Sequence, residues 1–144
     1  MELMFQPLRK YADFQGRARR SEYWLFVLFE FLLMIAFLVV FTVVAAAAPR
    51  DQSGQVSGMA TGIGGGLAIV GLLLFLALLV PRLAVLVRRL HDSGNSGWLA
   101  LLVIVPFGAI VLLVFTLLDG TAGPNTYGPD PKGRGQPRVA DTFS

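Results

Sequence analysis

The chain of 144 residues is 55% hydrophobic, carries a formal charge of +3 and contains no cysteine. A chain this short cannot hide so large an apolar share in one water-soluble core, so lipid is the implied solvent, and the missing thiols exclude disulfides, thiolate metal sites and a cysteine nucleophile. Most charges sit in three short stretches beside apolar runs, where anionic headgroups attract basic side chains, which removes a nucleic-acid reading of the positive balance.

In chain order, residues 1–15 place Met4, Leu8 and Tyr11 on one stripe with Arg9 and Lys10 off it, the pattern of a short segment lying in the membrane interface. A frayed lead-in is the plain alternative. Residues 16–22 follow as a flexible Gly16, three arginines (Arg17, Arg19, Arg20) and then Ser21 and Glu22, suited to cap a helix start and to complement its positive end. Headgroup anchoring explains this stretch; recognition of a lipid headgroup or of partner carboxylates by Arg17, Arg19 and Arg20 is the functional reading.

Residues 23–48 are predicted as the first span, with only Glu30 and Thr42 plainly polar. Their helical length outruns a hydrocarbon core of about 30 Å, so the helix crosses with tilt. Arg19-Arg20 and Ala45–Ala48 imitate an export signal and its cleavage site, but the apolar stretch exceeds the roughly 7–15 residues of such a signal, and a retained helix is expected. Glu30 lies about 10 Å into the span by helical rise. A carboxyl there either marks a functional site or snorkels toward Arg19, Arg20 or Arg82.

After a polar linker, residues 49–61, a second span is predicted over 62–80. The spacing of Leu83, Leu86, Val87 and Leu90 carries this helix past Pro81 to residue 90, with Arg82, Arg88 and Arg89 on its other face among headgroups. Gly58, Gly62 and Gly66 make small-xxx-small pairs, read either as intramolecular packing or as a contact between copies. Next, Gly94 is placed to end the helix and Ser93, Asn95 or Ser96 to cap the following one. His91 and Asp92 are adjacent here; an acid–base or metal role is conceivable chemistry, but one His and one carboxylate cannot fill a zinc site. Pairing of Asp92 with an arginine of the first motif is expected instead. No metal or other cofactor is expected.

Residues 98–118 form the third apolar segment, broken at Pro106 and Gly108. It either crosses as a kinked helix or turns at Pro106-Phe107-Gly108 and re-enters, returning the tail to the side it left. Residues 120–131 are rich in Gly and Pro and are predicted as an ordered loop with Asn125 and Tyr127 as contact groups, followed by a disordered tail, 132–144. The fold class is therefore an all-α membrane protein of three apolar segments with a short interfacial start, the domain covering residues 1–131. With the N-terminus in the cytoplasm, eight of the nine basic residues outside the tail fall on the inner side, Arg50 alone outside.

Three stretches together resemble a known family: residues 11–24 (YADFQGRARRSEYW), 88–98 (RRLHDSGNSGW) and 120–131 (GTAGPNTYGPDP). In order and spacing they are similar to the DUF805 family of small bacterial inner-membrane proteins, from which the chain departs chiefly in a longer first linker. The resemblance implies a multi-pass location in a bacterial inner membrane and no established activity or cofactor; it transfers no functional residue.

Three function classes follow. The first is a non-enzymatic scaffold or accessory protein presenting a basic cytoplasmic face to anionic lipids or to a membrane-protein partner, with homo-oligomerisation open and nucleic acid excluded. The second is an oligomeric transporter or channel component using Glu30; the third is an enzyme on lipid-linked substrates using the arginines and His91/Asp92.

Overall fold

The computed structural model describes residues 2–50 and 52–134, and among these the regular structure is helical: α1 (Glu2–Arg9), α2 (Arg20–Ala46), α3 (Gly58–Asp92), a 3-10 helix (Gly97–Ile104) and α4 (Gly108–Leu117). Two isolated bridges, Arg50 with Val56 and Asn125 with Gly128, close short turns. Both long helices start a few residues earlier than the hydropathy pattern places them, at Arg20 and Gly58; α2 ends slightly before the expected residue 48, and α3 runs on to Asp92, close to the residue 90 that the spacing predicts.

The chain forms two compact units. One is the hairpin Leu28–Leu79, whose two helical portions are roughly 28 and 33 Å long at 1.5 Å per residue, close to the thickness of a hydrocarbon core. No residue in the most apolar stretch of either long helix is buried. A core helix of a soluble protein would hide that surface; here Leu32, Met34, Val43, Ile69 and Phe75 point outward, which only lipid or another apolar body can cover. Thr42 satisfies its hydroxyl within the helix, on Leu38 and Val39 carbonyls at 2.9 Å each, as a lipid-facing hydroxyl must. Among the glycines, Gly71 packs against the Phe37 ring, whereas Cβ atoms at Gly58, Gly62 and Gly66 would meet nothing within 4 Å. Packing inside this hairpin therefore accounts for Gly71 and not for the small-residue pairs.

The second unit contains residues up to Val27 and from Val80 onward. Its core is Leu86 and Leu90 of α3 against Ala100 of the 3-10 helix and Leu112 of α4, with Tyr23 and Phe115 alongside. Pro81 lies inside α3 and is buried, so the helix continues past it as the spacing predicts. Gly94 follows with φ +76°, the left-handed cap that ends α3, and Ser96 Oγ accepts from Trp98 N at 3.4 Å to start the 3-10 helix.

The third apolar segment is not one kinked helix. The 3-10 helix ends at Ile104, the chain turns through Val105, Pro106 and Phe107, and α4 returns against it. Phe107 adopts φ +65° with its ring 81% exposed, and the turn is tight enough that a Cβ on Gly108 would collide with the Leu102 carbonyl. Pro106 removes one N–H and restricts the residue before it, which explains why the helix breaks here. Both ends of this hairpin come back to the end of α3: Gly97 lies against His91, and Gly120 against Asp92.

Candidate functional site

The end of α3 is the meeting point of all three polar motifs. Arg17 is buried, and its five N–H groups find five acceptors: Nε donates to Asp92 Oδ1 at 2.9 Å, one terminal nitrogen to the carbonyls of Gly123 (2.7 Å) and Gly128 (3.4 Å), the other to those of Thr121 (2.5 Å) and Asp92 (3.4 Å). Asp92 takes Arg17 on one oxygen and Arg89 on the other, and Arg89 also donates to the carbonyls of Thr116 and Leu118 at the end of the hairpin. Backbone bonds complete the closure, with Thr121 N donating to Asp92 O at 2.9 Å and Ala18 N to Arg88 O at 3.0 Å. Asp92 thus ties the motifs together, its carboxylate holding Arg17 of the first and its backbone carbonyl Thr121 of the third, while Arg17 itself bridges to the third.

A second buried pair lies beside it, Arg88 with Glu22 at 3.0 Å. It is a charge contact without hydrogen-bond alignment, and Glu22 also accepts a hydrogen bond from the Arg19 backbone at the start of its own helix, so it serves both α3 and the helix end. Ser21 is exposed within the first turn of α2, since the helix begins at Arg20, and is not its cap.

His91 and Asp92, adjacent in sequence, do not pair. Nδ1 of His91 faces the Gly16 carbonyl at 3.3 Å, and its ring stacks on Tyr127 with centroids 3.8 Å apart and planes within 3°. Asn125 donates from Nδ2 to the His91 carbonyl at 3.0 Å and to Thr121 Oγ1 at 3.1 Å, and its own Oδ1 accepts from Tyr127 N at 2.9 Å. The loop at 120–131 is therefore ordered against the other motifs through Asn125 and Tyr127, the two groups singled out from the sequence.

The remaining candidates are placed as follows. Arg19 and Arg20 are at the periphery; Arg19 donates to the Pro131 carbonyl at 2.6 Å, and Arg20 to the Leu117 carbonyl at 2.9 Å while pairing with Asp119 at 3.1 Å. Arg82 is exposed on α3. Glu30 lies half-buried on α2 in the other unit, Leu28–Leu79. Headgroup contact was the expectation for Arg17, Arg88 and Arg89 as well, but their guanidinium groups are buried and engaged inside the chain.

Sequence reasoning overlooked the acidic residues that bracket the loop. Asp119 pairs with Lys132 at 2.5 Å, whose hydrogen bond holds the Asp119 carboxyl below the usual carboxylate range, against desolvation and with help from Arg20 and Arg134. Burial pushes the Asp130 carboxyl upward, but Lys132 N at 2.9 Å and the Arg134 guanidinium at 2.9 Å outweigh it and bring it to about 2. Their signal was present as Asp130 and Arg134 four residues apart. The expected tail boundary moves accordingly: Lys132 and Arg134 are bonded to Asp130, while residues 135–144 of the expected tail lie outside the described residues.

Beside this closure runs an apolar groove of about 610 Å³ between α3 and the 3-10 helix. Leu83 and Val87 form one wall, Leu101 and Ile104 the other, and His91, Ser96 and Tyr127 stand at its polar end with Phe14.

An all-helical chain with two long unburied apolar helices and an apolar hairpin sealed by a buried polar closure is a membrane protein. The chain belongs to the family described as protein of unknown function (DUF805), whose family model matches residues 11–129. It is similar to the inner membrane protein YhaH of Escherichia coli (strain K12), 40% identical over 92% of this chain and 98% of that protein. It is also similar to the inner membrane protein YhaI of the same strain, 38% identical over 92% of this chain and 97% of that one. No solved structure matches.

Proposed function

We propose that the protein is a non-enzymatic scaffold or accessory component of a bacterial inner membrane, multi-pass, with its N-terminus and the loop after α4 on the cytoplasmic side. The observation that carries this reading is the saturation of Arg17: a guanidinium with all five N–H groups engaged has none left for a substrate phosphate, and Asp92 is divided between two arginines instead of polarising His91. The motif residues that suit chemistry are thus engaged in architecture. In this reading the hairpin after α3 re-enters the membrane from the cytoplasmic side: its two arms reach roughly 15 Å, half of a hydrocarbon core, and its tip is apolar. The name shared by the relatives, inner membrane protein, and the positive-inside count support the location and the orientation.

The basic face offered to anionic headgroups or a partner is then Arg9, Lys10 and Arg19, all exposed, with Arg20 at its edge. The test is crosslinking in native membranes followed by identification of the adducts. A defined protein or anionic-lipid adduct lost when Arg9, Lys10 and Arg19 are replaced by Gln supports the reading; monomer alone in every condition overturns it. Because the chain has no cysteine, single cysteines at Asn95 and Ala122 report the topology directly, and both should label only from the cytoplasmic side.

A further inference from the structure

The groove along α3 differs in kind from the closure beside it. From His91 to Leu83 it follows α3 for about 12 Å at 1.5 Å rise per residue, and its volume of about 610 Å³ is that of a small-molecule site. Its walls are apolar, and Leu101, Ile104 and Trp98 belong both to the lining and to the exposed apolar surface of the hairpin, so the groove opens sideways onto the face that lipid covers. No Lys or Arg lines it, which distinguishes it from a phosphate site.

The polar end has a defined hydrogen-bond polarity. The Gly16 carbonyl can only accept, so Nδ1 of His91 donates to it, and in the neutral ring Nε2 is an acceptor. Among the described residues no hydrogen bond engages Nε2, which lies against Gly97 in the groove lining, 2.9 Å from where a Cβ on that glycine would sit. The Tyr127 stack and the Gly16 bond fix the ring so that this acceptor keeps its place.

We propose that this groove binds one acyl chain of a membrane lipid whose headgroup donates a hydrogen bond, through an amine or a hydroxyl, to Nε2 of His91. Apolar walls meeting lipid are filled by a chain of the same leaflet, and an unengaged acceptor at the polar end selects a donor over a headgroup that has none. The site rests on the hairpin lying among acyl chains, as proposed above.

The test uses the purified full-length protein and three phospholipids with identical acyl chains: phosphatidylethanolamine and phosphatidylglycerol, whose heads donate through an amine and hydroxyls, and phosphatidylcholine, whose trimethylated nitrogen cannot donate. Retention read by native mass spectrometry should favour phosphatidylethanolamine over phosphatidylcholine by about tenfold, the order that one hydrogen bond contributes. His91→Phe keeps a ring to stack on Tyr127 and should erase the preference while leaving some retention. Equal retention of the ethanolamine and choline lipids by the unmodified protein, or a preference that survives His91→Phe, overturns the proposal, as does retention of phosphatidylglycerol alone, which would mean selection by negative charge.

A second measurement needs no variant. Phosphatidylethanolamine carrying a photoreactive acyl chain should crosslink within Leu83–Val87 and Leu101–Ile104, and adducts spread evenly over the exposed apolar surface of the hairpin would refute a distinct site. Labelling of a cysteine at Phe107 by a water-soluble maleimide separates the two failures: a labelled tip means the hairpin is not in lipid, and an unlabelled tip without lipid preference means that the groove alone was misread.

Discussion

Arg17 and Asp92, 75 residues apart, meet at 2.9 Å with both side chains sealed from solvent, and the Asp92 carboxylate also carries Arg89. Removing one partner of a buried pair leaves an uncompensated charge, at about 3–5 kcal/mol. Arg17→Ala and Asp92→Asn should each lower stability by that order in detergent micelles, measured by denaturant titration. The double variant should fall well short of the sum, because one contact is lost twice; strict additivity would mean the pair is not coupled. Arg17→Lys should fail to rescue, since three donors on a point charge cannot reach five acceptors spread over Asp92, Thr121, Gly123 and Gly128.

Two glycine substitutions of opposite sign follow from the same geometry. A Cβ on Gly120 would overlap the Asp92 carboxylate, so Gly120→Ala must push the loop off the end of α3 and should destabilise by about 1–3 kcal/mol. Gly64 is helical with nothing within 4 Å of its Cβ position, and Gly64→Ala should stabilise by up to about 1 kcal/mol through helix propensity. Parallel thermal unfolding curves of the two variants provide the check.

The loop should respond to acid through Asp130. Its carboxyl ionises at about 2 in the folded protein against 3.8 ordinarily, so the folded state binds protons more weakly than the unfolded one. The stabilisation is therefore complete above pH 3.8 and is lost as pH falls toward about 2. Protection of the Lys132 and Arg134 amides, whose N–H groups donate to Asp130, relative to their intrinsic exchange rates should fall across that window, and Asp130→Asn should show low protection at every pH. Protection factors in the unmodified protein that stay constant across the window would contradict the assignment.

What the sequence disclosed and what it withheld divide along physical lines. The spans, the helix continuing past Pro81 and the glycine stop at Gly94 were legible because periodicity and φ preference are local properties. Pairing of Asp92 with an arginine of the first motif was legible in kind, since a carboxylate and a cluster of arginines on one side of a membrane attract; which arginine was not, because Arg17, Arg19 and Arg20 differ only in the angle at which the chain enters α2. The sequence does not choose between a crossing helix and a hairpin, as apolar residues look alike in either. The choice is decided by α4 packing back on the 3-10 helix and by the return of Gly120 to Asp92, contacts that no short window of sequence contains. The groove was invisible for the same reason, its walls lying on α3 and on the 3-10 helix.

The hairpin tip allows a prediction in which two environments disagree. Phe107 holds φ +65°, a conformation that costs a residue with a Cβ about 1–2 kcal/mol, while its ring is 81% exposed and contributes little packing within the chain. Phe107→Gly removes that strain and adds about 0.5–1 kcal/mol of unfolded-state freedom, so in detergent it should be neutral or up to about 1 kcal/mol more stable. Phe107→Val, with a branched Cβ in the same conformation, should lose more than about 1 kcal/mol. In lipid vesicles the order changes if the ring is there to sit among acyl chains: the glycine variant gives up a buried aromatic side chain and with it about 2 kcal/mol of transfer energy. Stability of Phe107→Gly relative to the unmodified protein, measured in micelles of a short-chain detergent and again in bilayers, should therefore change sign, and a gain of equal size in both would show that the ring at the tip does nothing for insertion.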